Sequence, residues 1–100
     1  MNEYEKILGI KLPKKTKISY ATNSTKRIKK DTIFFGLKGL NCHGSAYAEE
    51  AINLGACIVV HNDINFNAKN KNIFYVNDLE NKIVNFLNSL YGIDINNNNF

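Results

Sequence analysis

"TIFFGLKGLNCHGSAYAEEAINLGACIVV", Thr32 to Val60, is the stretch whose reading decides the fold. It opens on β-branched and aromatic residues that are apolar on both faces, as in a central strand covered from both sides. Gly39 and Gly44 then punctuate a turn. Ser45 is placed to cap a helix running to about Leu54, with Tyr47, Ala51 and Leu54 on one face and Ile52 beside them. Glu49 and Glu50 fall in its N-terminal half, where the helix dipole favours negative charge. Gly55 stops the helix, and "ACIVV" follows at once as a buried strand. Strand, helix of roughly ten residues, strand is a βαβ unit, which makes the two strands parallel.

The flanks extend this unit. Upstream, "KISYAT" alternates, with Ile18, Tyr20 and Thr22 opposite Ser19 and Ala21, and predicts a half-buried strand. "NSTKRIKKD" is a polar loop anchored by Ile28. Asn2 can cap a short helix carrying Tyr4, Ile7 and Leu8, stopped by Gly9, and Lys11 to Lys17 is a basic connector around Pro13. Downstream, "HNDINFNAKNKN" is a surface loop and "NIFYV" a further strand. Asp78 is placed to cap a last helix with Leu79, Ile83, Phe86, Leu87 and Leu90 as its apolar stripe, closed by Gly92. The expected fold is α/β: a small Rossmann-like three-layer domain, residues 1–92, with a mostly parallel sheet flanked by helices. Residues 93–100 read as the start of a linker to a further domain. Ligands of such sheets lie beyond the carboxyl ends of the strands. The 38–45 loop and the loop after Thr22 are therefore the candidate binding edge.

Composition bounds the function. One hundred residues make one domain, with 44% hydrophobic and 11% aromatic content. No apolar run approaches the ~20 residues of a membrane span. The start "MNEYEKILGI" lacks the order of a signal peptide, so the expected compartment is the cytoplasm. Cys42 and Cys57 do not make a disulfide framework. Asn, Lys and Ile supply 17, 12 and 12 residues, a codon bias of an AT-rich genome that makes many of them surface filler. The charge is uneven: residues 11–38 carry nine Lys/Arg against Asp31 alone, which fits an anionic ligand, nucleotide or nucleic acid.

The candidate chemistries separate on spacing. Gly39 to Gly44 has G-x-x-x-x-G spacing, but Ser45-Ala46 follow where an NTP-binding loop needs Lys and then Ser/Thr for the phosphates and Mg²⁺. Cys42–His43 and Cys57-x-x-x-His61 do not have the paired-turn spacing of structural zinc, and Cys57 is expected to point inward from a strand. Adjacent Cys42 and His43 make no dyad, and no carboxylate is placed to orient His43, so no catalytic residue is assigned. Lys26, Arg27, Lys29 and Lys30 with Tyr20 and Phe34 or Phe35 offer a basic platform with stacking rings, the case for a small nucleic-acid-binding module.

From about Ile18 to Val60 the order of features resembles the N-terminal, UDP-binding domain of the Mur ligases, nearest the MurE type that adds the third peptide residue. The family runs from acidic-Ser-Arg through Gly-Asp-aliphatic-Phe to a later Gly and an Asp-Gly-His turn. A helix with Ala, a Gly-Ala pair and an apolar strand follow. Here Ile33-Phe34, Gly39, Gly44, Tyr47, Ala51, Gly55-Ala56 and Val59-Val60 keep that frame. Later, "YVNDLENKIVNFLNSLYG" resembles the family's next strand and helix. Ser24-Thr25-Lys26 stand where acidic-Ser-Arg is usual, Asp31-Thr32 where Gly-Asp is usual, and His43 and Ser45 flank Gly44 in place of the acid and the His.

The resemblance implies that Thr25 contacts the uridine diphosphate part, where Lys26 or Arg27 can meet the pyrophosphate charge, and that Leu40, Asn41 and Cys42 line the uracil and ribose. Ser24, Gly39, His43, Gly44 and Ser45 stand beside them. It implies a substrate-anchoring fragment of a cytoplasmic, ATP-dependent amide-bond-forming ligase of peptidoglycan, cell-wall synthesis, serving cell shape and division. The ligand would be UDP-N-acetylmuramoyl-L-Ala-D-Glu, and the nearest alternative is the MurF-type ligase that adds D-Ala-D-Ala. No cofactor is expected in this domain. ATP and Mg²⁺ would be held by a central domain and the added amino acid selected by a C-terminal one, both outside the chain, which alone would be inactive. A third reading is a fragment without ligand affinity of its own.

Overall fold

The computed structural model describes residues 3–37 and 44–92. Among them the element order is α1 (Glu3–Leu8), β1 (Tyr20–Thr22), β2 (Thr32–Gly36), α2 (Ala48–Asn53), β3 (Ile58–His61), β4 (Ile73–Tyr75) and α3 (Leu79–Tyr91), with single 3-10 turns at Thr25–Arg27 and Gly44–Tyr47. The strands form one sheet in the order β1-β2-β3-β4, and every neighbouring pair is parallel. Register sets Tyr20 beside Thr32, Phe34 beside Val59, and Val59 beside Ile73. The expected α/β architecture is the one observed.

Alternation along the central strands builds two cores. Ile33, Phe35, Ile58 and Val60 project to one face, where Leu8 of α1 and Leu79 and Phe86 of α3 cover them. Phe34, Val59 and Ile73 project to the other, against Ala48 and Ala51 of α2, with Ile28 packed at the margin. All five residues of β2 are buried, as a strand with both faces covered requires. Phe86 lies centrally in the first core, tilted on Tyr4 at 5.0 Å between ring centroids and edge-on to Phe35 at 5.6 Å. The Tyr91 hydroxyl accepts the Ala21 N–H at 2.9 Å, which satisfies a donor on the β1 edge from the last turn of α3.

Several local expectations are corrected. The strand expected over 17–22 is only Tyr20–Thr22: the Asp31 carbonyl accepts from both Ser19 N (2.8 Å) and Tyr20 N (3.3 Å), and the alternation begins after that shared bond. Ile18 accordingly joins the same core as Ala21 instead of the Tyr20 side. The helix expected to start at Ser45 starts at Ala48: Ser45 falls within the 3-10 turn, and Tyr47 precedes α2 with no capping side-chain bond. That tighter turn shifts the phase, so Ala48 and Ala51 face the sheet while Tyr47 and Leu54 are exposed. Asp78 holds the N-cap position of α3 without capping it. With φ at 58° its carboxylate instead accepts the Asn81 side-chain amide at 2.8 Å. Asn2 lies outside the described residues. The Gly9 and Gly92 stops are observed, both at positive φ.

Asp31 also has positive φ, at 62°, in the turn that feeds β2. A left-handed L-residue costs about 1–2 kcal/mol, which Asp partly relieves and glycine avoids. Asp31→Gly is therefore expected to leave the fold intact and to raise stability by up to about 1 kcal/mol. A higher urea midpoint at unchanged slope is the expected result, and a clear loss of stability would contradict this account of the turn.

Candidate functional site

At the carboxyl-end edge of the sheet, a cleft of about 560 Å³ opens between β1, the end of β2 and α3. Its apolar side is Phe35, Leu37, Ile83 and Leu87, and its polar side is Thr22, Asn23, Ser24 and Arg27. No Asp or Glu is among the described residues lining it. The volume falls in the range of sites that take a small organic ligand. The mixed lining suits a flat, partly apolar group carrying an anionic end.

The polar side is held by short local bonds. The Thr22 hydroxyl accepts the Ser24 N–H at 3.1 Å as the chain leaves β1. The Ser24 hydroxyl accepts the Lys26 N–H at 3.3 Å, and the Arg27 N–H donates to the Ser24 carbonyl at 3.1 Å, which closes the 3-10 turn. Small hydroxyl residues at Thr22 and Ser24 make this sharp exit from the strand. Arg27 follows on the same wall, a residue whose guanidinium carries donors in the fork geometry that suits phosphate.

The site residues expected from sequence divide three ways. Ser24 lines the cleft, and so does Arg27, which sequence reasoning gave only as an alternative to Lys26. Thr25, half-buried, and Lys26, exposed, belong to the same turn but are not among the residues lining the cleft. Gly39, Leu40, Asn41, Cys42 and His43 lie outside the described residues. The chain leaves the described part just past Leu37, on the cleft wall, and re-enters at Gly44 in the 3-10 turn before α2. The contribution of Ile83 and Leu87 was missed because their apolar stripe reads equally as core. They are only half-buried, and that is the difference.

The other candidate chemistries meet their geometry. Cys57 stands one residue before β3 and His61 ends it, about 13 Å apart at ~3.3 Å per strand residue. His61 is buried, its Nδ1 accepts the Asp63 N–H at 3.2 Å, and its ring meets Phe66 and Tyr75 edge-on. Cys57 is half-buried at the strand's entrance instead of pointing fully into the core. Its thiol lies 3.3 Å from the Thr32 carbonyl, and burial pushes its pKa up. Among the described residues no three His, Cys, Asp or Glu side chains gather to hold a metal ion. The stacking platform for nucleic acid loses Phe34 and Phe35, both buried in the two cores. Tyr20 carries the Lys29 ammonium over its ring, 4.3 Å from the centroid. No described helix is long and apolar enough to cross a membrane.

Comparison with known proteins follows the same line. The family described as "Mur ligase family, catalytic domain" matches residues 18–90. A UDP-N-acetylmuramoyl-L-alanyl-D-glutamate--2,6-diaminopimelate ligase of Rickettsia prowazekii (strain Madrid E) is 33% identical over 66 residues, 66% of this chain and 14% of that protein. A UDP-N-acetylmuramyl-tripeptide synthetase of Treponema pallidum (strain Nichols) is 34% identical over 44 residues, 44% of this chain and 8% of that protein. The matched part is thus a small share of either relative. Among solved structures, the MurF ligase of Thermotoga maritima in complex with ADP superimposes with a TM-score of 0.55 at 19% identity, over 90% of this chain and 17% of that one. That likeness speaks for the fold.

Proposed function

The chain belongs to the Mur ligase family, and from that premise we propose that it anchors the UDP end of a UDP-N-acetylmuramoyl-peptide at the carboxyl-end edge of its sheet. In this reading it is the N-terminal domain of an ATP-dependent ligase of peptidoglycan synthesis that adds the third residue to UDP-N-acetylmuramoyl-L-Ala-D-Glu. The observation that carries it is the cleft itself. It opens at the edge where parallel α/β sheets receive ligands, and it sets Ser24 and Arg27 opposite an apolar wall. Two relatives named as enzymes of UDP-N-acetylmuramoyl substrates support the substrate class. The MurF-type reading shares the fold.

Within the cleft, the proposal gives the phosphates to the turn after β1. The Ser24 hydroxyl and the Arg27 guanidinium are its donors, with Thr25 and Lys26 at the rim. The uracil and ribose go to the segment holding Leu40, Asn41 and Cys42, since an Asn amide can pair with the amide-like edge of uracil. The described residues do not fit an ATP–Mg²⁺ site: Ser45-Ala46 stand where Lys and Ser/Thr are needed. The proposal therefore assigns activation of the carboxylate to the rest of the full enzyme and expects this chain alone to be inactive. Titration with UDP, against CMP, tests the reading. A single uracil-selective site with weak salt dependence is expected. A steep fall of affinity with salt and no base preference would transfer the case to a nucleic-acid module.

A further inference from the structure

The basic segment read from the sequence is split by the fold. Lys26 and Arg27 lie at the carboxyl-end edge, while Lys14, Lys15 and Lys17 line a different cleft at the amino-end edge, where the strands begin. That second cleft encloses about 290 Å³, and Pro13, Thr16, Asp31, Ala56, Cys57 and Asn72 complete its wall. Four separate segments meet there: the connector before β1, the turn before β2, the entrance to β3 and the entrance to β4.

We infer that this cleft is a second anion site, sized for a phosphate or diphosphate group, with Lys14, Lys15 and Lys17 supplying the charge. Three exposed lysines line the cleft against one acidic residue, Asp31. The volume is about half that of the first cleft and sits at the low end of ligand sites, too small for a nucleotide but sufficient for a small anion. The lysines are also held by a built turn. Both the N–H and the hydroxyl of Thr16 donate to the Pro13 carbonyl, at 3.3 and 2.7 Å, and Lys15 is fixed at a φ of 67°.

Composition bias does not account for that lysine. Asn is the commonest residue of this chain, at 17, and it tolerates a left-handed position better than Lys. A lysine at this one position, between Lys14 and Lys17, keeps charge where conformation alone would favour Asn or Gly. Asn72 also lines the cleft, and its side-chain oxygen is buried without a hydrogen-bond partner. The Cys57 thiol, with its pKa raised by burial, stays neutral and adds no competing negative charge.

The test is titration of the ¹⁵N-labelled chain with inorganic phosphate and with pyrophosphate, comparing wild type with the double variant Lys15→Asn/Lys17→Gln. Lys15→Asn suits the positive φ, so the variant is expected to keep the wild-type spectrum and thermal midpoint. In the wild type, saturable shifts should appear at Lys15, Thr16, Cys57 and Asn72, with pyrophosphate the tighter probe if the site takes a diphosphate and phosphate equal to it if one phosphoryl group suffices. The double variant should bind about tenfold more weakly, the scale for removing two partly screened charges. Three results would overturn the inference: no saturation at millimolar anion, shifts only at the carboxyl-end edge, or unchanged affinity in the folded variant. None of these depends on whether UDP binds the first cleft.

Discussion

Phe86→Ala is expected to lower the stability of the domain by about 3–5 kcal/mol, the range for truncating a fully buried Phe. Phe86 bridges three elements, touching Tyr4 of α1 and Phe35 of β2 from its own place on α3. The ring's removal leaves a void that neither helix can fill without leaving the sheet. A domain this small has roughly 5–15 kcal/mol in total, so the loss is a large fraction of it. At about 4–8 °C per kcal/mol the thermal midpoint should fall by more than about 12 °C. Val84, 40% exposed on the same helix, is the control. Val84→Ala should change stability by no more than about 0.5 kcal/mol. Equal effects from the two variants in calorimetry would mean that α3 is not seated on the sheet as described.

Arg27→Gln is expected to weaken UDP binding by about 1.5–3 kcal/mol, the worth of hydrogen bonds to a charged group, or roughly 10- to 150-fold. Uridine affinity should be nearly unchanged, because the guanidinium is assigned to the phosphates. Lys26→Gln makes the comparison sharp. Both side chains are exposed, but only Arg27 lines the cleft, so the loss of Lys26 should cost no more than about 1 kcal/mol. Calorimetric titration of both variants with UDP and uridine reads all four values. A larger loss at Lys26 than at Arg27 would return the phosphate role to the position that the family resemblance gives it.

The βαβ unit was legible in the sequence because its signals agree. "TIFFG" and "IVV" are apolar on both faces, as buried parallel strands must be, and the Gly55 stop separates helix from strand, although β3 starts at Ile58, two residues later than expected, and takes in His61, which reads as loop. The stripe of α3 was legible for the same reason, at helical spacing over 13 residues. What failed were short-range details settled by single hydrogen bonds. Nothing in "KISYAT" announces that the Asp31 carbonyl takes two N–H groups and delays β1 to Tyr20. Nor does "HGSAY" announce a 3-10 turn, which keeps Ala51 on the buried face of α2 as expected but puts Ala48 there in place of Tyr47 and Leu54. The candidate site was legible as an edge and a turn. The choice of Arg27 over Lys26 was not, since adjacent residues on a turn point apart and sequence spacing does not say which one meets the cleft.

The proposed function has the carboxyl-end edge of this sheet receive a uridine nucleotide, and ¹⁵N chemical-shift mapping of the chain with UDP, with CMP as control, at two salt concentrations puts that to the test. Saturable, UDP-selective shifts are expected at Thr22 to Arg27 and at Leu37, on the cleft wall, little changed by salt. No shifts there at millimolar UDP, or equal shifts with CMP spread over the lysines and lost at high salt, would contradict it.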